Sequence, residues 1–212
     1  MNQSAISKLK AVAEPMNGSC DASSKMIDMY ELFKPLDGFY AFNRALLVRP
    51  LGNVRGVKNI SDWNEQELWK SNYGSVLSGM TIFAEDVVGY SFVLDQEGRV
   101  LLFDPELGSL ESYAISTEEW AAKIMADPEE VGRGLSQRWT QENGPIKIGS
   151  RLAPLIPYMF KESDGLGNIE VPELVLSQYR GKLYQQLKGI PDGEAVQIPS
   201  LQDAVHSEND HK

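Results

Sequence analysis

The sequence predicts one α+β domain, a mainly antiparallel sheet flanked by helices. Three observations lead there. Between Thr81 and Ile115, short β-prone runs are joined by tight turns, the pattern of an antiparallel meander. On both sides lie segments with helical spacing and capping signals. The chain has 212 residues, 42% of them hydrophobic, enough for one large core. We divide it into an N-terminal extension (1–24), the α+β domain (25–200) and a disordered polar tail (201–212).

Taken in order, Ile6, Leu9 and Ala13 suit a short helix before Pro15, and "NGSCDASS" is a loop by composition. Met26, Met29, Tyr30 and Phe33 form one apolar helix stripe that stops at Pro35. Methionines so spaced are core far more often than a cofactor box. Asp37–Gly38 makes a turn, followed by a buried aromatic segment and a strand ending near Pro50. Asn64 with Glu67 resembles a capping box and predicts a short helix carrying Leu68 and Trp69.

Thr81–Phe83, Tyr90–Asp95 and Arg99–Asp104 read as strands, with Gly98 at the turn position that needs positive φ. "DPELG" is another turn and "SLESYAI" another strand. Ser116 and Glu119 form a capping box for a helix with Trp120 and Ile124 on one buried face. Leu135 and Trp139 form a similar buried pair in the next helix. "RLAPLIPYMF" is loop and strand, "SDGLGN" a flexible link, "YRGKLYQQLKG" a final helix, and "PDGEAVQIPS" a turn with a last strand.

Charge narrows the function classes. Twenty basic and thirty acidic side chains give a formal charge of -10, which disfavours nucleic acid and anionic membrane as partners. From Glu85 to Glu142 there are 13 Asp and Glu against 4 Lys and Arg, a net of -9. From Gly38 to Ser61 the only charges are Arg44, Arg49, Arg55 and Lys58. A charge run is ordinarily a solvated face, yet this density also makes a field that attracts a basic partner.

The sequence offers little chemistry. Cys20 is the only cysteine, with no histidine near it in sequence, and reads as a bystander thiol. With a non-clustered N-terminus that lacks a signal-peptide core, it points to the cytoplasm. His206 and His211 sit in the tail, poor positions for a catalytic base, and their i, i+5 spacing does not suit one helical metal face. "GRG" at 132–134 lacks the remainder of a phosphate loop, and "SDGLGN" lacks the spaced acids of a calcium loop. No cofactor or metal is therefore expected. Glu85 and Asp86 are adjacent acids between apolar runs. On a strand they point to opposite faces, unlike the converging pair of a glycosidase. They read best as a structural turn at a sheet edge, inside an acidic region that also faces a partner, with Phe83, Val87, Tyr90 and Phe92 as core.

The ordered segments "GFYAFNRALLVRP", "FAEDVVGYSFVLD", "VLLFDPELG", "EEWAAKIMADPEE", "RWTQENGPIKIGSRLAPLIPYMF" and "IPDGEAVQI" resemble bacterial members of the SUKH superfamily, which also includes a yeast cell-wall synthesis regulator. The resemblance runs from Met26 to Ile198. Trp120, Asp127, Pro128, Trp139, Asn143, Gly144 and Pro145 match a helix–helix–turn block of these proteins. The first forty residues do not align, and Arg44 and Arg49 fall in a segment that is usually less basic.

The resemblance implies a curved, mainly antiparallel sheet flanked by helices. It also implies an immunity protein that binds and neutralises a toxin, and that is no enzyme. The charge suggests a basic toxin, such as a nuclease. Candidate partner-binding residues are Glu111, Glu118, Glu129 and Glu130, which flank helices or turns, together with Glu85 and Asp86. A regulatory or scaffold protein of the same superfamily is the alternative, and a carboxylate-dependent hydrolase the remote third. Monomer and homodimer stay open.

Overall fold

The computed structural model describes residues 3–16, 37–163, 167–191 and 193–209. Seven antiparallel strands form one sheet whose spatial order is the chain order. They are β1 (Ala13–Pro15), β2 (Phe39–Ala41), β3 (Leu46–Val48), β4 (Thr81–Glu85), β5 (Ser91–Leu94), β6 (Val100–Asp104) and β7 (Ser109–Ala114). With its flanking helices this is an α+β fold. The expected meander is β4 to β7, and Gly98 takes φ 78° at its turn. The aromatic segment after Gly38 is itself strand β2. Phe42, Asn43 and Arg44 connect it to β3, all with positive φ (55°, 58° and 68°).

Side-chain alternation gives the sheet two apolar faces. On one, Phe83, Phe92 and Val100 pack with Ile6, Leu9, Trp120 and Ile124. On the other, Ile82, Val93 and Phe103 pack with Trp63, Trp69 and Tyr73. Two bulges shift the alternation: pairing skips Phe83 in β4 and Tyr113 in β7. Each skipped residue therefore faces the first core together with the alanine after it.

The first face is covered by α1 (Ala5–Ala11), α3 (Thr117–Ala126) and α4 (Arg133–Asn143). Ser116 caps α3 as expected, accepting from the Glu119 N–H. Trp120 is fully buried, with Phe83 and Phe92 ring centroids at 5.0 and 5.5 Å. Trp139 departs from expectation: it is half-buried, because α4 lies at the rim of this core.

The second face is covered by α2 (Ile60–Trp63), a following 3-10 turn (Lys70–Tyr73) and α5 (Glu173–Leu187). The helix expected to start at Asn64 instead ends there. Asn59 is the N-cap, and the Asn64 amide bonds both the N–H and the C=O of Ile82, each at 2.8 Å. An Asn side chain can cap either helix end or pair with a strand, so the sequence signal was ambiguous.

A separate hairpin pairs β8 (Ser150–Pro154) with β9 (Asn168–Pro172). The last strand expected within 191–200 is irregular chain, fixed where the Tyr179 hydroxyl donates to the Pro199 carbonyl. The disordered reading of 201–212 fails for α6 (Leu201–Asn209), whose Leu201 is buried against α5. The described part of the N-terminal extension, 3–16, is likewise no appendage, since α1 supplies core residues and β1 pairs with β2. The Met26–Phe33 stripe, Cys20 and His211 lie outside the described residues, as does part of "SDGLGN". Among the described residues no helix is long and apolar enough to cross a membrane.

Candidate partner-binding surface

Glu85 and Asp86 are not at the surface, which corrects their reading as partner-binding residues. They also sit at the end of β4, the fourth strand of seven, rather than at a sheet edge. Glu85 is 2% exposed and accepts from Arg49 Nη2 at 2.7 Å. Arg49 also grips Glu173, with both nitrogen–oxygen distances at 3.2 Å, and Arg151 Nε stands 3.7 Å from Glu85. Two arginines thus balance two carboxylates in the interior. Burial raises the Glu85 carboxyl above its ordinary range against the pull of Arg49.

Asp86 turns the other way. Its Oδ1 accepts from the N–H groups of Val88 at 3.0 Å and Tyr90 at 2.8 Å, fixing the β4–β5 turn. Burial pushes its carboxyl up to about 7. The two carboxyls diverge and do not form the convergent pair a hydrolase would use. Glu106 is also interior, paired with Arg180 at 3.2 Å and accepting from the Met159 N–H at 3.0 Å.

Glu111, Glu118, Glu129 and Glu130 are exposed, but they do different work. Both oxygens of Glu118 accept from the N–H groups of Ala5 and Ile6, so it caps α1 from the neighbouring helix. Glu129 accepts from the Gly134 N–H at 2.9 Å and caps the first turn of α4. These two are structural caps as well as surface charges.

Glu111 and Glu130 lie on the same side of the sheet, linked through Tyr113. Glu130 accepts from the Tyr113 hydroxyl, and Glu111 lies two residues before Tyr113 on the same strand. Glu111 pairs in register with Leu102, a residue packed on the α3 side of the sheet, and Tyr113 packs on Phe92 on that same side. Lys123 joins them: it donates to the Tyr113 carbonyl, lies 5.2 Å from the Tyr113 ring centroid and stands 3.7 Å from Glu119. Burial and then Glu130 push the Tyr113 hydroxyl pKa up. Glu130 and Lys123 thus hold the bulged tyrosine by its hydroxyl and its carbonyl. Glu119 is the capping-box acid the sequence reading expected, accepting from the Ile115 N–H at 2.9 Å, but Tyr113 and Lys123 were missed, because the bulge that aims Tyr113 at Glu130 leaves no signature in the sequence.

A groove of about 490 Å³ lies on the other side of the same 3-10 turn (Pro128–Val131). It is floored by Val12, Phe42, Met125 and Pro128, with Arg133 and Gln137 at its wall. The left-handed turn at Phe42–Arg44 forms one end. It is held where Ser136 Oγ donates to the Asn43 carbonyl, where Arg44 donates to the Ile146 carbonyl at 2.6 Å, and where Arg44 pairs with Glu14 at 2.5 Å.

No protein-family model matches this chain, and no curated protein matches it either. Its fold is similar to that in the crystal structure of Atu4351 from Agrobacterium tumefaciens, with a TM-score of 0.54 and 12% sequence identity over 90% of this chain and 96% of that one. At that identity, the two chains share a fold.

Proposed function

We propose that this protein is a cytoplasmic immunity protein that binds and neutralises a basic protein toxin, a nuclease being the class its charge fits best. The observation that carries this reading is the exposed acid Glu111 on β7, two residues from Tyr113, whose hydroxyl donates to the exposed Glu130. The formal charge of -10 and the ordered resemblance to the SUKH proteins support it. Nucleases carry positive charge to hold a phosphate backbone, and an acidic surface can cover that charge. Opposite fields speed such encounters by about 10–10³-fold at low salt.

The test is association of the protein with the product of the gene neighbouring its own, followed by stopped-flow at low and high salt. Reversing Glu111 and Glu130 to lysine should slow association about tenfold or more at low salt and flatten its salt dependence, with the melting temperature held. An unchanged rate, or a neighbouring gene product that the protein neither binds nor inhibits, overturns the proposal.

A further inference from the structure

β7 is one edge of the sheet, pairing only with β6 among the described residues. The other edge, β1, is blunted: it has three residues and ends in Pro15, which has no N–H to offer a further strand. β7 has six residues and no proline. The two most exposed large apolar side chains among the described residues bracket it, Leu107 at 56% and Ile115 at 79%. An isolated exposed apolar side chain needs no explanation, but two at the ends of one edge strand mark a contact surface.

We propose that β7 is a docking edge, to which an extended, lysine- or arginine-rich segment of the partner adds as an eighth strand. This rests on the reading of the protein as a binder of a basic partner, and specifies how that partner is held. Backbone hydrogen bonds supply the attachment, and alternate side chains supply the choice. Glu111 is exposed at mid-strand, on the side of the sheet where the Tyr113 hydroxyl donates to Glu130. A basic residue of the incoming strand directly opposite Glu111 makes a favourable cross-strand pair.

The same glutamate argues against a second copy of this chain. Antiparallel self-pairing of Ser109–Ala114 about its middle brings Glu111 diagonally across from its own copy, where like charges repel. The bulge at Tyr113 and the Lys123 bond to its carbonyl close the far end of the edge, and the N–H groups of Leu107 and Gly108 are taken up by Asp104 in the turn before it, so the open stretch is 109–112.

The test uses the full chain and three synthetic nonapeptides: alternating valine and lysine, alternating valine and glutamate, and the lysine peptide with every backbone nitrogen methylated, which removes the donors of both strand edges. Binding is followed by fluorescence anisotropy, and amide hydrogen exchange is read at 109–112. The valine–lysine peptide should bind and slow exchange of the β7 amides that β6 leaves unpaired. The methylated peptide keeps the charge but cannot extend the sheet, and should bind at least tenfold more weakly. The glutamate peptide should not bind, and Glu111→Lys should weaken the lysine peptide by about fivefold or more. Equal binding of the methylated peptide, or no protection in β7, overturns the docking edge. Protection that rises with protein concentration without peptide also overturns it, in favour of a second copy. Failure to neutralise a toxin, with peptide docking intact, removes the toxin reading and leaves the edge standing.

Discussion

The Arg49 guanidinium lies over the Trp63 ring, 3.6 Å from its centroid, while it holds Glu85 at 2.7 Å and Glu173 at 3.2 Å. A flat, weakly hydrated cation suits this place, because one face stacks while the edge donates. Arg49→Met keeps the stacking volume and removes the charge, leaving two interior carboxylates with Arg151 alone. It should cost about 3–5 kcal/mol, the usual penalty for breaking a buried pair from one side. Urea unfolding measures this directly, and a parent-like midpoint would mean that water already reaches the cluster.

Asp86 should make stability fall with rising pH. Its folded carboxyl titrates at about 7 because burial disfavours the charge, against the pull of the Tyr90 and Val88 N–H groups and of Arg180. In the unfolded chain an aspartate titrates near 3.9, at about the usual value. Between those values the folded protein holds a proton that the unfolded chain has lost. The contribution is therefore full below about pH 4 and is lost as pH rises through about 7. Asp86→Asn keeps an oxygen for both N–H bonds and cannot ionise. The stability of the parent relative to this variant should drop by something on the order of 3 kcal/mol from pH 4 to pH 8. A flat difference across that range would show that the carboxyl is hydrated and ordinary.

The two tryptophans of the first core should separate. Trp120→Ala should cost about 3–5 kcal/mol, the range for a fully buried aromatic. Trp139→Ala should cost about half as much or less, since that side chain keeps part of its surface in water. Thermal unfolding of the two variants side by side tests the order, and equal losses would place Trp139 in the core after all.

Relief of the left-handed turn should raise stability. Asn43 has φ 58° between two further residues with positive φ, a conformation that costs an ordinary side chain roughly 1 kcal/mol. Glycine takes it freely, and the bond that holds this turn comes to the Asn43 carbonyl, which glycine keeps. Asn43→Gly should therefore be neutral or raise the melting temperature by a few degrees, despite the entropy that glycine loses on folding. A clear drop would mean that the asparagine side chain itself anchors the turn.

What could be read in advance follows the range of each interaction. The β4–β7 meander was legible because Gly98 and the Asp104–Gly108 turn punctuate β-prone runs only a few residues apart. Ser116 and Glu119 announced α3 for the same reason. The turn at Phe42–Arg44 contains no glycine or proline, and its bonds come from Ser136 and Glu14. Local rules cannot see such support. The burial of Glu85 was hidden likewise, since Arg49 is 36 positions away and Glu173, the other carboxylate on that arginine, is 124 positions from it. Of the candidate surface, Glu111 and Glu130 could be named from charge and position. The bond from Tyr113 to Glu130 depends on a bulge that the sequence does not announce.

The pairing of Glu106 with Arg180 also sets a clock. These residues are 74 positions apart, and α5, which carries the arginine, follows the whole of the sheet in the chain. At about 5–20 residues per second, a ribosome needs about 4–15 s to pass from one to the other. During that interval the meander has been synthesised, but the acid at its last hairpin has no cation to enter the interior with. Burial of that hairpin is thus a late event of biosynthesis, and a chain halted before α5 keeps it open to water and to proteases.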